Sequence, residues 1–515
     1  MSLPNTVIAL RSERYLIIRA DVNTHIGTGH LMRCLALGQT WQDAGGHAVF
    51  VMCTDAPAIE DRFKSERMEI VHLSALLGSA DDAMQTADLS RRMGASWVVV
   101  DGYHFGADYQ RFVKDAGLCL LFIDDNGHAD RYYADIVLNQ NLHAHESLYA
   151  NREFYTRLLL GPRYALLRRE FWKWQGWRRE IPEVARRVLV TLGGGDPDNV
   201  TLTVIQALQQ VMVDGLEAVV VVGGSNPHYE ELQCTARDSR VTIGLERNIT
   251  NMPELMAWAD VAISAGGTTS WELAFMGLPS LLVIQADNQS ATAERLNGLG
   301  VARNLGRPDS FSCDKIAQEL TEMLRTDGTR TEMACYGQRL VDGDGVARVL
   351  MHLKSIGLRL RKAREDDCRL LWEWTNDPAV RAVSFSSEPI PWETHVEWFR
   401  SRLNDPDCIL YIATNSEGIP IGHIRYEIGG DEAIVSISIE KNSRGKSYGS
   451  TLLELSAHEV FGILRIATIH AYVKEKNEAS IRVFEKAGYL HIGAARIKEQ
   501  NAVHLILIGR REDAG

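Results

Sequence analysis

Short apolar runs ending at glycine or a polar strand end recur through the first 350 residues of this 515-residue chain, separated by helix-sized intervals. They fall at 15–19 (YLIIR), 47–53, 97–101 (WVVVD), 118–124 and 135–138, and again at 187–192, 218–222, 260–264 and 280–284. Such runs lack the alternation of a half-solvated strand, so they belong in sheets covered by helices on both faces, built from parallel βαβ units. The chain is too long for one core, and two to four domains follow from its length alone. Ligands in such sheets lie beyond the carboxyl ends of the strands. This directs attention to Asp101-Gly102-Tyr103, Asp124-Asp125 and Asn139-Gln140-Asn141.

The opening unit is the most informative of these. Residues 15–45 read as a buried strand, a turn containing Gly27 and Gly29, and a helix whose apolar spacing starts at Leu31. A helix start of this kind offers free N–H groups and a positive dipole end to an anion. His30 sits beside it, as a cap or packing residue on the one reading and as a catalyst on the other. Further on, strands within 187–264 end in Gly193-Gly194-Gly195, Gly223-Gly224 and Gly266-Gly267. Glycine at such ends lets the backbone approach a pyrophosphate.

The wording around His30, R-x-D-x-x-x-x-I-G-x-G-H-x-x-R (Arg19, Asp21, Ile26, Gly27, Gly29, His30, Arg33), resembles the nucleotide-sugar hydrolases of pseudaminic acid biosynthesis. These remove UDP from UDP-2,4-diacetamido-2,4,6-trideoxy-β-L-altropyranose. The resemblance spans residues 13–354 and implies that His30 is the catalytic residue, that Tyr103 near it is a second catalytic residue whose hydroxyl orients water or contacts the sugar, and that Gly27, Gly29 and Arg33 join the substrate site. Ser264, Gly266, Gly267, Thr268 and Glu272 resemble the UDP-binding segment of two-lobed, GT-B-like glycosyltransferases, which implies that Glu272 takes the ribose hydroxyls. Gly194 and Gly195 complete the phosphate-facing loops, while Asn288 and Gln289 resemble an amide pair that faces the sugar in the hydrolases. Loss of UDP as its own anion needs a placed water and a base, and direct attack by water inverts the anomeric centre.

From Leu358 the pattern changes to antiparallel-looking strands at 408–413, 421–428 and 433–439, followed by Arg444-Gly445-Lys446-Ser447-Tyr448-Gly449-Ser450 and a helix over 451–461. This turn, with Asn477, Ser480 and Gly488-Tyr489 downstream, resembles the GCN5-related N-acetyltransferases (GNAT). The resemblance implies an acyl-CoA diphosphate loop at Arg444, Gly445, Lys446, Tyr448, Gly449 and Ser450, cofactor contacts from Asn477 and Ser480, and Tyr489 as proton donor to the departing thiolate. His423 and Glu427 are candidate bases, with a water chain as an equal alternative.

The expected fold is therefore α/β, with two Rossmann-like lobes at 1–170 and 171–354 and an α+β GNAT domain at 355–515; residues 171–179 (FWKWQGWRR) read as the crossing between lobes. A net charge of −12 argues against a nucleic-acid partner. No apolar run reaches the ~18 residues of a membrane span. Eight scattered cysteines without a C-x-x-C pair read as reduced thiols of a cytoplasmic protein. Acetyl-CoA is the expected co-substrate, UDP-amino sugars are the expected substrates, no metal is expected, and a homo-oligomer is left open. The function this implies is bifunctional: 4-N-acetylation of UDP-4-amino-4,6-dideoxy-β-L-AltNAc, then hydrolysis of the diacetamido product. The alternatives are a GT-B-type glycosyltransferase, or the same pair of activities on another UDP-diamino sugar.

Overall fold

The computed structural model describes residues 15–22, 28–95, 97–224, 226–247, 249–355, 358–415, 418–445, 448–464 and 466–509. Gly27 and Lys446, both expected at binding loops, lie outside these residues, as do Ile26 and Ser447. The chain divides into two compact units, Met1–Leu350 and Met351–Gly515.

The first unit holds two sheets. One contains β1 (Tyr15–Ala20), β2 (His47–Met52), β3 (Glu69–His72), β4 (Trp97–Asp101), β5 (Cys119–Ile123), β6 (Ile136–Asn139) and β7 (Arg157–Leu160), in the order β3-β2-β1-β4-β5-β6-β7. The other contains β8 (Arg187–Thr191), β9 (Glu217–Val222), β10 (Thr242–Arg247), β11 (Val261–Ala265), β12 (Ser280–Val283) and β13 (Arg303–Gly306), in the order β10-β9-β8-β11-β12-β13. Every neighbouring pair is parallel in both. The strand order of each sheet reverses beside its first strand. That places the ends of β1 and β4 side by side in one lobe and those of β8 and β11 in the other.

The strands that the sequence reading did not find are β3, β7, β10 and β13, which are the edges of these two sheets. An edge strand is covered less completely, so its sequence stays mixed, as in EIVH and TIGLER. The central strands β4 and β11 are buried throughout.

Arg19 and Asp21, two members of the opening pattern, serve this fold. The Arg19 side chain is fully buried, pairs with Asp21, and reaches Asp82 Oδ1 and Oδ2 at 2.9 and 2.8 Å. It thereby ties β1 to the helix Ala80–Arg92, while Asp21 accepts the backbone N–H groups of Cys53 and Thr54. Residues 171–179 begin within a 3₁₀ turn, Arg169–Trp174, in which Phe171 is buried, and the Arg179 guanidinium closes the carbonyls of Met256 and Ala259.

In the second lobe the glycine loops pack backbone to backbone. A Cβ at Gly223 would lie 2.1 Å from the Gly194 carbonyl oxygen, and backbone cannot rotate away. Gly223→Ala is therefore expected to destabilise the first unit by about 1–3 kcal/mol, the range for overpacking. Chemical denaturation of the variant against the parent checks it.

The second unit carries β14 (Arg359–Lys362), β15 (Cys408–Thr414), β16 (Pro420–Gly429), β17 (Glu432–Ile439), β18 (Thr468–Lys474), β19 (Leu490–Ile497) and β20 (Gln500–Ile508), in the order β14-β15-β16-β17-β18-β20-β19. Neighbours are antiparallel except β17 and β18. These run parallel and pair only over Glu432–Ile434 against Thr468–His470, so their carboxyl-terminal halves part. One face packs Tyr426, Val435, Leu453 and Phe484 into a core, and the other packs Leu371, Phe399, Leu410 and Ile412. Among the described residues no helix is long and apolar enough to cross a membrane.

Candidate active sites

His30 lies in the first turn of the helix Gly29–Asp43, directly after β1, and is 6% exposed. Its Nδ1 is 2.5 Å from Asp101 Oδ1 at the end of β4. Since a carboxylate can only accept, a neutral ring making this contact carries its proton on Nδ1 and its lone pair on Nε2. A neutral imidazole held this way is a base whose reactive nitrogen is Nε2.

Asp101 is itself held by Arg33, one helical turn beyond His30. Arg33 donates from Nε to Asp101 Oδ2 and from Nη2 to Asp101 Oδ1, both at 2.7 Å, and from Nη1 to Asp125 Oδ1 at 2.7 Å. Asp125 also accepts from Asn141 Nδ2 at 2.7 Å and from the Tyr103 hydroxyl at 2.9 Å. Burial alone would raise the pKa of both carboxylates, but the Arg33 charge outweighs it and holds each below the ordinary aspartate range. They stay ionised.

The structure thus reassigns several expected residues. Arg33 is not offered to substrate: it is 4% exposed, and its donors are directed at two buried carboxylates. Of the acidic pair ending β5, Asp124 is structural, accepting from Asn126 N, Gly127 N and the Tyr132 hydroxyl, whereas Asp125 joins the His30 network. The three amides at the end of β6 and just beyond it are likewise internal. Asn139 bonds the Asp125 carbonyl and the Tyr149 hydroxyl, and Gln140 accepts from Leu166 N. Asp101 and Asp125 were visible in the sequence only as strand-end carboxylates.

Tyr103 meets His30 edge to face with centroids 5.1 Å apart, and its hydroxyl accepts from Asn288 Nδ2 of the second lobe at 2.8 Å. The loops of the two lobes also meet directly. A Cβ at Gly29 would lie 3.1 Å from Thr268 Oγ1, and one at Gly194 3.0 Å from Thr28 Cγ2. Gly195, Gly266 and Gly267 lie at the same strand ends as these loops, and Gln289 Oε1 accepts from Gln285 N at 2.9 Å. Ser264 is fully buried with its hydroxyl on the Ala265 carbonyl, so it shapes the end of β11 and does not face a ligand. Glu272 is ion-paired: its Oε1 accepts from Arg168 Nη2 at 2.9 Å and Nε at 3.2 Å. Burial raises the Glu272 pKa, and Arg168 offsets this only in part.

In the second unit, Gly445 adopts φ +77°, a conformation that favours glycine, and Tyr448, Gly449 and Ser450 begin the helix Tyr448–Leu464. Gly449 allows a close approach, since a Cβ there would sit 3.0 Å from Val483 Cγ1. Arg444 bonds the Ile439 carbonyl at 3.0 Å and Asp377 Oδ1 at 3.2 Å. Asn477 caps the helix Glu478–Lys486 by accepting from Ser480 N at 3.2 Å, and its Nδ2 donates to Ser480 Oγ at 2.9 Å. Asn477 and Ser480 therefore stabilise a helix start as well as lying near the parting of β17 and β18.

Tyr489 is 2% exposed, packed against Phe484 and facing the Tyr426 hydroxyl. Burial and Tyr426 push its phenol well above the ordinary range. It stays protonated. His423 lies parallel to Trp374, with centroids 6.1 Å apart. Burial, then the charges of Arg425 and His395, lower its pKa to about 4, so it is neutral at physiological pH.

That depression makes stability depend on pH. The unfolded chain takes up a proton near the ordinary histidine value of about 6.5, whereas the folded unit resists it until about 4. The contribution is fully present above the higher value and is lost as pH falls toward the lower one. Calorimetric melting of the full chain should therefore weaken by about 1–3 kcal/mol across that window. A His423→Gln variant is expected to show a flatter profile.

Among the described residues, Asp55, Glu60 and His72 bring potential ligand atoms within 4.8 Å of one another beside edge strand β3, a grouping the sequence reading did not pick out.

Residues 188–340 match the glycosyltransferase family 28 C-terminal domain, and residues 357–490 match the GNAT acetyltransferase domain. An uncharacterized protein of Methanocaldococcus jannaschii is 23% identical over 489 residues, covering 92% of this chain and 96% of its own. The UDP-2,4-diacetamido-2,4,6-trideoxy-β-L-altropyranose hydrolase of Campylobacter jejuni is 22% identical over 281 residues, 54% of this chain and 94% of its own. YwnH of Bacillus subtilis, named as a phosphinothricin acetyltransferase, is 31% identical over 121 residues, 22% of this chain and 72% of its own. The chain thus joins a two-lobed, hydrolase-like unit to an acetyltransferase unit.

Proposed function

We propose, for a chain that belongs to the GNAT acetyltransferases through residues 357–490, that both units act on one UDP-linked amino sugar. The second unit acetylates it with acetyl-CoA, and the first cuts the product to UDP and free sugar. The substrate of the first step is UDP-4-amino-4,6-dideoxy-β-L-AltNAc and that of the second its diacetamido product, within pseudaminic acid synthesis. The Campylobacter jejuni relative supports the second assignment by its name.

The observation that carries the hydrolase reading is the Asp101–His30 pair beside glycine loops from two lobes. Water attacks the anomeric carbon as His30 Nε2 takes its proton; the bond from that carbon to the diphosphate oxygen breaks, and UDP leaves as an anion. The new bond forms opposite the old one, so the configuration inverts. Backbone N–H groups at Gly29, Gly195, Gly267 and Thr268 receive the diphosphate, and Gln289 reads the sugar beside Asn288, whose amide nitrogen is held on Tyr103. Glu272 takes the ribose through the carboxylate edge that Arg168 leaves open.

In the second unit, the parted ends of β17 and β18 and the Gly445–Gly449 turn fit an extended thioester with a diphosphate. Acetyl-CoA supplies the acyl group there. Tyr448, Gly449 and Ser450 lie at the helix start that faces its diphosphate, and Arg444, now on Asp377, stands directly before that loop. The substrate amine attacks the thioester carbonyl, the carbon–sulfur bond breaks, the surplus proton on nitrogen passes to water, and the thiolate leaves toward the Tyr489 hydroxyl.

A transferase reading is favoured by one observation, the match of residues 188–340 to a glycosyltransferase domain. A mass-spectrometric time course with acetyl-CoA and UDP-4-amino-4,6-dideoxy-β-L-AltNAc, without any sugar acceptor, separates the two. Acetylated UDP-sugar followed by UDP and free diacetamido sugar is expected. Acetylation without UDP release would make the first unit a transferase or a hydrolase of another sugar.

A further inference from the structure

We infer that Tyr103 is a positioning residue, the latch by which Asn288 of the second lobe holds the carboxylate network that orients His30. The inference rests on the hydrolase reading above. A phenol has one proton to give, and Tyr103 gives it to Asp125 Oδ2 at 2.9 Å. Its oxygen then accepts from the Asn288 amide at 2.8 Å. Only the nitrogen end of that amide fits, because the Tyr103 proton is already committed.

From Asp125 the chain continues without a break. Arg33 joins Asp125 to Asp101 through Nη1, Nη2 and Nε, and Asp101 holds His30 Nδ1. A contact in the second lobe is therefore linked to the catalytic base through Tyr103, Asp125, Arg33 and Asp101.

The arm that carries Asn288 is braced. It lies in the 3₁₀ turn Asp287–Gln289, with Arg307 on Asp287 Oδ1 at 2.5 Å and Gln289 Oε1 on Gln285 N at 2.9 Å. A braced arm transmits position, so the bond to Tyr103 forms only when the lobes are close enough for their glycine loops to meet. Burial raises the Tyr103 phenol far above neutrality, which removes it as an acid or base and leaves it this mechanical role. The consequence is a base whose alignment depends on the contact between the lobes.

The test is a double-mutant cycle on UDP release from UDP-2,4-diacetamido-2,4,6-trideoxy-β-L-altropyranose by the full chain. Tyr103→Phe and Asn288→Ala are each expected to lower kcat by about 10–100-fold, the scale of a small misplacement of a catalytic group. The double variant should fall within about threefold of the worse single, because both break one link. Effects that multiply would overturn the latch, since two residues contacting the sugar separately would behave that way. UDP affinity by calorimetry should change little in Tyr103→Phe.

Amide hydrogen exchange of residues 102–106 with UDP bound provides a readout that does not depend on hydrolysis. Faster exchange in Asn288→Ala than in the parent is expected, and equal exchange overturns the latch. A parent enzyme that leaves this UDP-sugar intact would overturn the hydrolase reading instead, with the exchange result deciding the latch by itself.

Discussion

The His30→Ala variant is expected to release UDP from the diacetamido nucleotide sugar about 10²–10⁴-fold more slowly than the parent, the usual contribution of a positioned general base. Acetyl transfer by the same preparation should stay within about twofold, because the residues assigned to it lie in the other compact unit. Following UDP and free thiol in parallel therefore supplies an internal control for folding. The effect should fall on kcat, since His30 removes a proton only as the water attacks and adds little to ground-state binding. Wild-type hydrolysis by this variant would remove the base assignment altogether.

Asp101→Asn is expected to cost nearly as much, about 10²–10⁴-fold in kcat, although it changes no shape. The reason lies in the donors around the carboxylate. Arg33 directs Nε at Oδ2, and Nη2 at Oδ1, where His30 Nδ1 also arrives. An amide placed there must turn its NH₂ toward one side. At the Oδ2 position the NH₂ meets only the Arg33 Nε donor; at the Oδ1 position it meets Arg33 Nη2 but also donates to His30 Nδ1, which moves the ring proton to Nε2 and abolishes the base. The second arrangement is the cheaper, so activity should be lost while the fold persists. A circular dichroism melt beside the kinetic assay distinguishes this from unfolding. An Asp101→Asn enzyme with full activity would show that the carboxylate does not set the tautomer.

Much of the fold was legible because the signals that encode it are local. Central strands such as WVVVD and VAISA are buried on both faces and announce themselves by unbroken apolar runs. The edges β3, β7, β10 and β13 escaped because partial cover permits mixed residues. The same reason hid β14 and β19 at the edges of the third sheet, where β19 is exposed along most of its length. Interior β20 had no such cause: its run VHLILI at 503–508 is strand-like and apolar, and the sequence reading passed over it.

Candidate site residues divide along the same line. His30 and the glycine turns were found because a strand, a glycine-broken turn and a helix follow one another within about thirty residues. From its position Arg33 was expected to join the substrate site, and Glu272 to take the ribose hydroxyls. The structure commits Arg33 to Asp101 and Asp125, 68 and 92 residues away, and pairs Glu272 with Arg168 across 104 residues. Ser264 moved inside for a simpler reason: it is the fourth residue of a central strand that is covered on both faces.

The sequence by itself determined the parallel α/β lobes, the glycine-lined strand ends, the place of His30 at a helix start, and the glycine turn of the acetyltransferase unit. Each depends on residues close together in the chain. Which nitrogen of His30 carries the proton, which carboxylates neutralise Arg33, and that Tyr103 meets Asn288 were decided only by tertiary structure. Strand order brings β1, β4 and β5 side by side, and lobe packing adds the loop after β12. Charge pairing acts across space between elements that the local pattern leaves independent.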